Sequence, residues 1–570
     1  MRITLSKSKS AEQVYITKAY RDDNGKSTSK IFKKLGSMAD LLPEHDNNRD
    51  KVIAWAKEQA RICTEAEKDN KLEVPFELSE NKQLSFNEMT QFNGGYLFLQ
   101  KTFSELGLDR ICKSIDKQYG HEYSLSDILL DLICSRILSP SSIAYSYEYM
   151  QQLIEQPSFS RHDIYRALDV IDEKADEIQS AVYHASNGKR NTSILYYDCT
   201  NFFFEIEEEK GLRKYGKGKE HRPNPIVQMG LFLDGDGIPL AFTVFPGNEN
   251  EQPSLIPIEK RIMKDYELSK FIICTDAGLA SSVNRRFNDR HDRSFIVTQS
   301  LKKLKKHLKE WALDPEGWHL GNSLKEYDIS KIDERSHYNS VFHKERWVNE
   351  GGFQQRMIAS YCPKYKHYQR EVRGRQIERA IKIVDGGKNK KTHNTNSPSR
   401  FVDEIQLTMD GEVAEQEKLL LDDKKIAEEE KYDGFSAVCT TLDDAASEIM
   451  KVNRRRWEIE ESFRIMKSEF KARPVFVSKD EHIRAHFFIC FLSLLVYRLL
   501  EKKLGESYTL REIVGTLKDM NFHRVKGIGY IPCYTRTEIT DALHETFGFR
   551  TDKQIVPDKK MKEIIRSTKR

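Results

Sequence analysis

The sequence has little of what marks a secreted or membrane-bound protein. Its nine cysteines are scattered through 570 residues, with no Cys-x-x-Cys pair and no Cys/His cluster at zinc spacing. That excludes a disulfide framework and a zinc finger, and it reads as reduced thiols in a cytosolic protein. Long apolar runs are missing too. The most apolar stretch, residues 485–500, is 16 residues long and includes His486 and Arg498. A membrane span needs roughly 20 apolar residues, so a buried core helix is expected and no membrane contact. The first seven residues lack the apolar core of a signal peptide. Charge of one sign is lacking as well: 92 Lys and Arg face 88 Asp and Glu, a net +4, so net charge names no partner. No fixed-period repeat is visible. What is there is a soluble composition, 38% hydrophobic and 32% charged, which excludes a disordered chain or a fibre. At about 150 residues per domain, the length suggests roughly three or four units.

The pattern changes along the chain. Residues 13–20 alternate apolar and polar, Asn24-Gly25 marks a turn and residues 29–35 follow, which predicts a β-hairpin. A polar linker runs to about residue 80. Residues 98–185 are helical in pattern. Ser124 caps a helix through Ile137, Ser-Pro-Ser-Ser at 139–142 breaks it, and Ser160 opens a capping box. A short helix, a break and a helix bearing Arg161, His162 and Arg166 fit a DNA-reading helix-turn-helix or an ordinary helical bundle. From residue 191 the pattern becomes α/β. Residues 193–197 and 200–206 read as strand, and 226–233 and 238–245 flank the turn Asp234-Gly235-Asp236-Gly237. Residues 271–275 and 295–297 are further short strands.

Residues 300–434 read differently. Lys302, Lys303, Lys305, Lys306 and Lys309 crowd one short helix. Residues 361–400 hold 11 Lys and Arg against 3 Asp and Glu, and residues 401–430 hold 3 Lys against 11 Asp and Glu. Such a couple suits solvated faces or an internal clamp, and the basic half suits nucleic acid. Strand pattern returns at 434–440. A long helix is expected over about 445–470 and an apolar helix over 483–501.

Context selects three carboxylates among 88. Asp198 ends the apolar strand of Tyr-Tyr-Asp-Cys-Thr, and Asp276 ends another in Ile-Ile-Cys-Thr-Asp-Ala-Gly. A carboxylate at the end of a buried strand is rigid and half-desolvated, which suits Mg²⁺. Either alone also reads as a turn-forming Asp. The third lies in Arg-Trp-Glu-Ile-Glu-Glu-Ser-Phe-Arg-Ile-Met-Lys at 456–467. At about 100° per residue from Arg456, Glu460 falls near 40°, Lys467 near 20° and Glu461 near 140°. One face thus carries a cation, a carboxylate and a second cation. That is a surface ion pair or a carboxylate set beside a phosphodiester.

On these motifs, residues 191–505 resemble the catalytic domain of bacterial insertion-sequence DDE transposases with a ribonuclease H-like fold. The subgroup resembled carries its last carboxylate in a Tyr-x-x-Arg-x-x-x-Glu-x-x-x-x-x-x-Lys signature. Here its Arg, Glu and Lys are Arg456, Glu460 and Lys467, while Asn453 stands at the Tyr position. Gly216-x-x-Lys219-x-x-Arg222, Gly247-Asn248, Tyr432-Asp433-Gly434-Phe435 and the N-terminal Lys34-Leu35-Gly36 fit as well.

The resemblance implies an α/β ribonuclease H-like core, a mixed sheet with flanking helices, over 191–505. A mainly β insertion domain at 300–434 would interrupt it, filling the 184 residues between Asp276 and Glu460. Around it would lie an N-terminal hairpin and linker (1–80), a helical DNA-binding region (81–190), and a C-terminal region (506–570) for dimerisation or DNA contact. It implies Asp198, Asp276 and Glu460 as catalytic, metal-binding residues using Mg²⁺, with Mn²⁺ as a substitute. Double-stranded DNA, at element ends and target, would be the partner of a homodimer in the bacterial cytoplasm. Arg456, Lys467, Lys219, Arg222, Lys302, Lys305, Arg161 and Arg166 are the expected DNA contacts. Trp311, Trp318 and Trp347 are either stacking platforms for a flipped base or core aromatics. An inactive DNA-binding derivative and a stand-alone nuclease are the alternatives.

Overall fold

The structure, a computed structural model, describes residues 1–7, 12–21, 27–69, 83, 85–220, 222–386, 397–407 and 416–570. It divides into two units, Met1–Glu88 and Met89–Arg570. The expected Asn24-Gly25 turn and residues 70–82 of the linker lie outside the described residues.

In the first unit the hairpin gains a strand. β1 (Arg2–Lys7), β2 (Glu12–Arg21) and β3 (Ser27–Ser37) form an antiparallel sheet in that order. β1 joins because Ile3 and Leu5 alternate with exposed Arg2, Thr4 and Ser6. One face rests on the helix Arg49–Asp69 through a small core of Val14, Met38, Leu41, Val52 and Ala56.

The second unit begins with a short strand β4 (Gln91–Asn93) and is organised by a ten-stranded mixed sheet. Its centre is β5 (Ile194–Phe203), β6 (Ile226–Asp234), β7 (Pro239–Pro246), β8 (Phe271–Thr275) and β9 (Arg293–Thr298), in the order β7-β6-β5-β8-β9. β5, β6 and β7 are an antiparallel meander, and β8 and β9 run parallel to β5. The Asp234–Gly237 turn is where the sequence puts it, with Gly237 at φ +77°. The parallel step from β7 to β8 uses the crossover helix Leu255–Asp265. Alternation along β5 sorts its side chains. Leu195, Tyr197 and Cys199 pack with the crossover helix, while Tyr196 and Phe202 pack with the helix Asp480–Lys503. That helix is the one among the described residues long and apolar enough to cross a membrane, and 83% of its apolar stretch is buried inside the protein.

Four expectations change. First, residues 300–434 do not form a separate β domain. β10 (Trp318–Leu320), β11 (Glu326–Tyr327), β12 (Phe342–Glu350) and β13 (Phe353–Tyr361) extend the central sheet, joined to β9 through β16 (Phe435–Thr440). The 23-residue helix Pro363–Asp385 and a hairpin, β14 (Val402–Leu407) with β15 (Gln416–Leu421), stand outside that sheet. Unpaired edges of a large sheet invite further strands, and β13 is buried along most of its length, as an inner strand of such a sheet is.

Second, the helical region is not an independent domain. A single apolar core runs from Tyr96 through the helix Asp480–Lys503 to Ile564. β4 pairs with β17 (Asn521–Val525), which pairs with β18 (Gly529–Pro532) and on to β19 (Val556–Pro557), so the C-terminal region is woven into the same body. Third, the helices Ile143–Met150 and Arg161–Glu173 are separated by the ten residues 151–160, in which Leu153 bridges to Asn93. A helix-turn-helix has a turn of only about 3–4 residues, so the tight motif is not formed, although Ser160 makes its capping box with Asp163.

Fourth, the long helix over 445–470 is broken. Ala446–Arg454 and Trp457–Arg464 are separate helices, and Ile465–Glu469 is a π turn. No Pro or Gly marks the break. Bonds of i to i−3 type, Arg456 N–H to Asn453 O at 3.4 Å and Ile459 N–H to Arg456 O at 3.2 Å, tighten the chain there.

Candidate active site

The site begins with strand alternation. Asp198 and Thr200 share the face of β5 that carries Tyr196 and Phe202. Asp276 is the first residue past β8, two beyond Cys274. The parallel register pairs Tyr197 with Thr275, so Asp276 lies level with Asp198, which stands in the middle of β5 and not at the strand end that the sequence suggested. Open α/β sheets bind ligands at the carboxyl end of a strand such as β8. Asp198 is 9% exposed, and its Oδ1 accepts from Cys199 N–H at 2.8 Å. Burial pushes its carboxyl up to about 6; Lys219 pulls it back and the Asp276 charge pushes it further. Asp276 also does the work of a turn: its Oδ1 accepts from Gly278 N–H at 2.9 Å and Leu279 N–H at 3.1 Å.

The broken helix covers this face at both ends. Arg456 donates to Thr298 Oγ1, at the end of β9, at 3.1 Å. Asn453, at the signature's Tyr position, accepts from the same hydroxyl at 3.2 Å. Lys467 donates to Thr200 Oγ1 on β5 at 2.7 Å and lies 5.4 Å from the Phe202 ring. Burial, with the nearby Lys219 charge, lowers the Lys467 ammonium to about 8. Glu460 is exposed on the segment between these two anchors. Glu461 turns the other way, to Arg464 at 3.1 Å and Arg498 at 3.4 Å. Glu460 does not close on the two aspartates: among the described residues, the acid and His side chains that converge within 4.8 Å as a group of three are Asp541, His544 and Asp552. Arg550 bridges both of those aspartates.

Lys219 lies beside Asp198, and Arg222 lies further along β5. The Lys219 ammonium donates to Cys199 O at 2.6 Å, and Arg222 stacks 4.2 Å from the Phe203 ring. One acidic residue was missed in the sequence. Glu251 is 3.9 Å from Lys219 Nζ. Burial raises its carboxyl, Lys219 lowers it and the Asp276 charge raises it again. Only the preceding Gly247-Asn248 motif hinted at this loop.

The remaining candidates are more dispersed. Lys302 sits over the Tyr432 ring at 5.5 Å, within a 3₁₀ turn apart from the helix Lys306–Leu313. Lys305 is 3.7 Å from Glu350. Arg161 is exposed at a helix start, while Arg166 pairs with Asp163 and lies 5.7 Å from the Tyr123 ring. Trp318 is fully buried and donates to Asp314 O, so it is a core residue; Trp311 is half-buried and Trp347 is 45% exposed. The Tyr432-Asp433-Gly434-Phe435 motif has a structural cause. Asp433 holds Arg373 in a buried two-pronged pair, and Gly434 sits at φ +84°.

The donor chemistry fits a divalent cation. Two carboxylates lie level on neighbouring strands, Asp198 nearly buried, and the Asp276 charge raises the cost of ionising Asp198. Hard oxygen donors in such a place suit Mg²⁺ or Mn²⁺.

The model of the transposase DDE domain family matches residues 199–496. Two solved structures are similar to the chain. One is a cryo-EM structure of a piggyBac transposase synaptic complex with hairpin DNA, at 9% identity over 80% of this chain and 75% of that one, with a TM-score of 0.34. The other is a Mos1 transposase paired-end complex with the left transposon end, at 11% identity over 40% and 64% of the two chains, with a TM-score of 0.13. No curated protein matches. The family match spans more than half of the 570 residues and takes in β8, β9 and the broken helix that flank the site: the chain belongs to the transposase DDE domain family.

Proposed function

We propose that this protein is a DNA transposase that cuts and joins strands at the ends of an insertion sequence, with Asp198, Asp276 and Glu460 as its catalytic carboxylates. The observation that carries the reading is that Asp198, within β5, lies level with Asp276, just past the end of β8, beside a helix anchored by Arg456 and Lys467. Mg²⁺, or Mn²⁺ in its place, would be held by Asp198, Asp276 and Glu460. When bound, such ions polarise a phosphodiester and activate the attacking oxygen.

The chain's own residues do the rest. Arg456 and Lys467 bring positive charge to the face that meets the phosphate, where charge builds as the bond changes hands. Lys219 offsets the carboxylates before DNA arrives. Lys302, Lys305, Arg161, Arg166 and Arg222 are proposed contacts to the duplex backbone. Positioning and electrostatics, rather than covalent chemistry, then carry the reaction. We place the protein in the subgroup with the Tyr-Arg-Glu-Lys signature, with Asn453 substituting for its Tyr. Bacterial cytoplasm, double-stranded DNA at element ends and target, and a homodimer holding two ends complete the proposal, with residues 506–570 as dimer or DNA surface.

The test is cleavage of a labelled duplex bearing the element end. It should require Mg²⁺ or Mn²⁺. Cleavage that persists in excess EDTA would contradict the proposal.

A further inference from the structure

The loop that follows β7 is tied to both strands that carry the aspartates. On the β5 side, Ser254 Oγ lies 2.6 Å from the Tyr197 hydroxyl and 3.5 Å from Cys199 Sγ, the residues on either side of Asp198. Ser254 in turn donates to Glu251 O at 2.6 Å. On the β8 side, Gln252 Nε2 donates to Gly278 O at 2.9 Å, in the turn that Asp276 itself closes. Asn284 Nδ2 donates to Gln252 O at 3.1 Å and to Leu279 O at 3.0 Å, locking loop and turn together. Glu251 is thereby held beside the Asp276 turn, while its loop meets β5 on the face that carries Tyr197 and Cys199.

A second segment closes from the opposite side. A Cβ on Gly216 would stand 2.0 Å from Gly247 O, and one on Gly247 would stand 2.2 Å from Ile226 O. The two glycines let the segment bearing Lys219 lie against the segment bearing Glu251. The Lys219 ammonium then sits 2.6 Å from Cys199 O and 3.9 Å from Glu251, with Asp198 in its field. The ammonium thus lies near two carboxylates on separate elements, Glu251 and Asp198, and the Asp276 charge reaches Glu251.

We propose that Glu251 is a further carboxylate of the cation site formed by Asp198 and Asp276, and that Lys219 is the counter-ion to Glu251 and Asp198 in the free protein. The proposal rests on the reading of Asp198 and Asp276 as cation ligands. It assigns Glu251 to positioning and charge at the site, and it gives Lys219 a role ahead of any contact with DNA. A divalent cation and the Lys219 ammonium compete for the same negative charge, so the two residues act on cation affinity with opposite sign.

The experiment measures Mn²⁺ binding to the full-length protein without DNA, by electron paramagnetic resonance of free Mn²⁺, with circular dichroism as the folding control. Glu251→Gln should weaken binding about tenfold, the scale of losing a supporting group at a metal site. Glu251→Asp, which keeps the charge, should recover part of the loss. Lys219→Met should tighten binding a few-fold, and Glu249→Gln, exposed in the same loop, should change nothing. If Asp276→Asn loses Mn²⁺ while Glu251→Gln binds it as the unaltered protein does, the role of Glu251 is overturned and the aspartate pair stands. If Asp276→Asn also binds unchanged, the cation-site reading itself fails. Weaker binding by Lys219→Met would overturn the counter-ion role.

Discussion

The aspartates of the sheet and the glutamate of the helix are positioned by different physics. Asp198 and Asp276 are set by the parallel pairing of β5 and β8 and by backbone hydrogen bonds to their own carboxylates. Glu460 has no such frame. It is exposed on an eight-residue helix whose two ends are held by side chains, Arg456 to β9 and Lys467 to β5. Pleated strands fix a carboxylate without help from a ligand. A helix offers one only as well as its anchors hold, and that leaves the third position adjustable.

Breaking the rigid half should have the largest effect. Asp198→Asn and Asp276→Asn are each expected to cut strand cleavage on the order of a thousandfold or more, the scale of removing a group that meets developing charge, while end binding changes little. Gel-based cleavage and binding assays check it; two active variants would dissolve the contrast.

The anchors come next. Arg456→Ala and Lys467→Ala should each slow cleavage on the order of 10- to 100-fold, as loss of a supporting group does. Because the Lys467 ammonium is lowered to about 8, its charge is present below that pH and lost above it. End binding by the unaltered protein should therefore weaken as pH rises from about 7 to 9, and Lys467→Met should lack that step.

A stability measurement sharpens the comparison from outside the site. The buried Arg373–Asp433 pair joins the helix Pro363–Asp385 to the turn before β16, with side chains 7% and 4% exposed. Asp433→Ala leaves the guanidinium only the half-exposed Glu430 at 3.4 Å and should cost about 3 kcal/mol in chemical denaturation. A loss below about 1 kcal/mol, the range of a surface pair, would mean that the pair is solvated.

The smallest effect is expected at Lys302 and Lys305. Neutralising both should flatten the salt dependence of DNA binding by about one unit per lost phosphate contact, with the cleavage rate at saturation unchanged. An unchanged slope would leave these lysines to Tyr432 and Glu350 alone.

Legibility in the sequence followed the range of the interaction. The meander, the Asp234–Gly237 turn, the Ser160 capping box and the buried helix Asp480–Lys503 rest on neighbours a few residues apart, and each was readable. The strands of residues 300–434 were not, because their pairing with β16 spans many residues and no local pattern distinguishes an added edge from a separate sheet. The break at Arg455–Arg456 is not legible locally because its cause is tertiary: Arg456 and Asn453 both bond the Thr298 hydroxyl at the end of β9. A helical wheel still separated Glu460 from Glu461, since both lie within the one regular segment, Trp457–Arg464. Lys467 lies in the π turn, where about 100° per residue no longer holds. Glu251 was invisible because nothing but folding brings its loop to β8.

The most direct test of the account is the contrast between adjacent residues on that helix. Glu460→Gln and Glu461→Gln each remove one charge while keeping size and hydrogen bonding. Cleavage of a labelled end duplex should be lost in Glu460→Gln and retained within a few-fold in Glu461→Gln, with both variants folded by circular dichroism. An active Glu460→Gln beside a dead Glu461→Gln would place the wrong carboxylate over Asp198 and Asp276, and two active variants would remove the helix from the chemistry altogether.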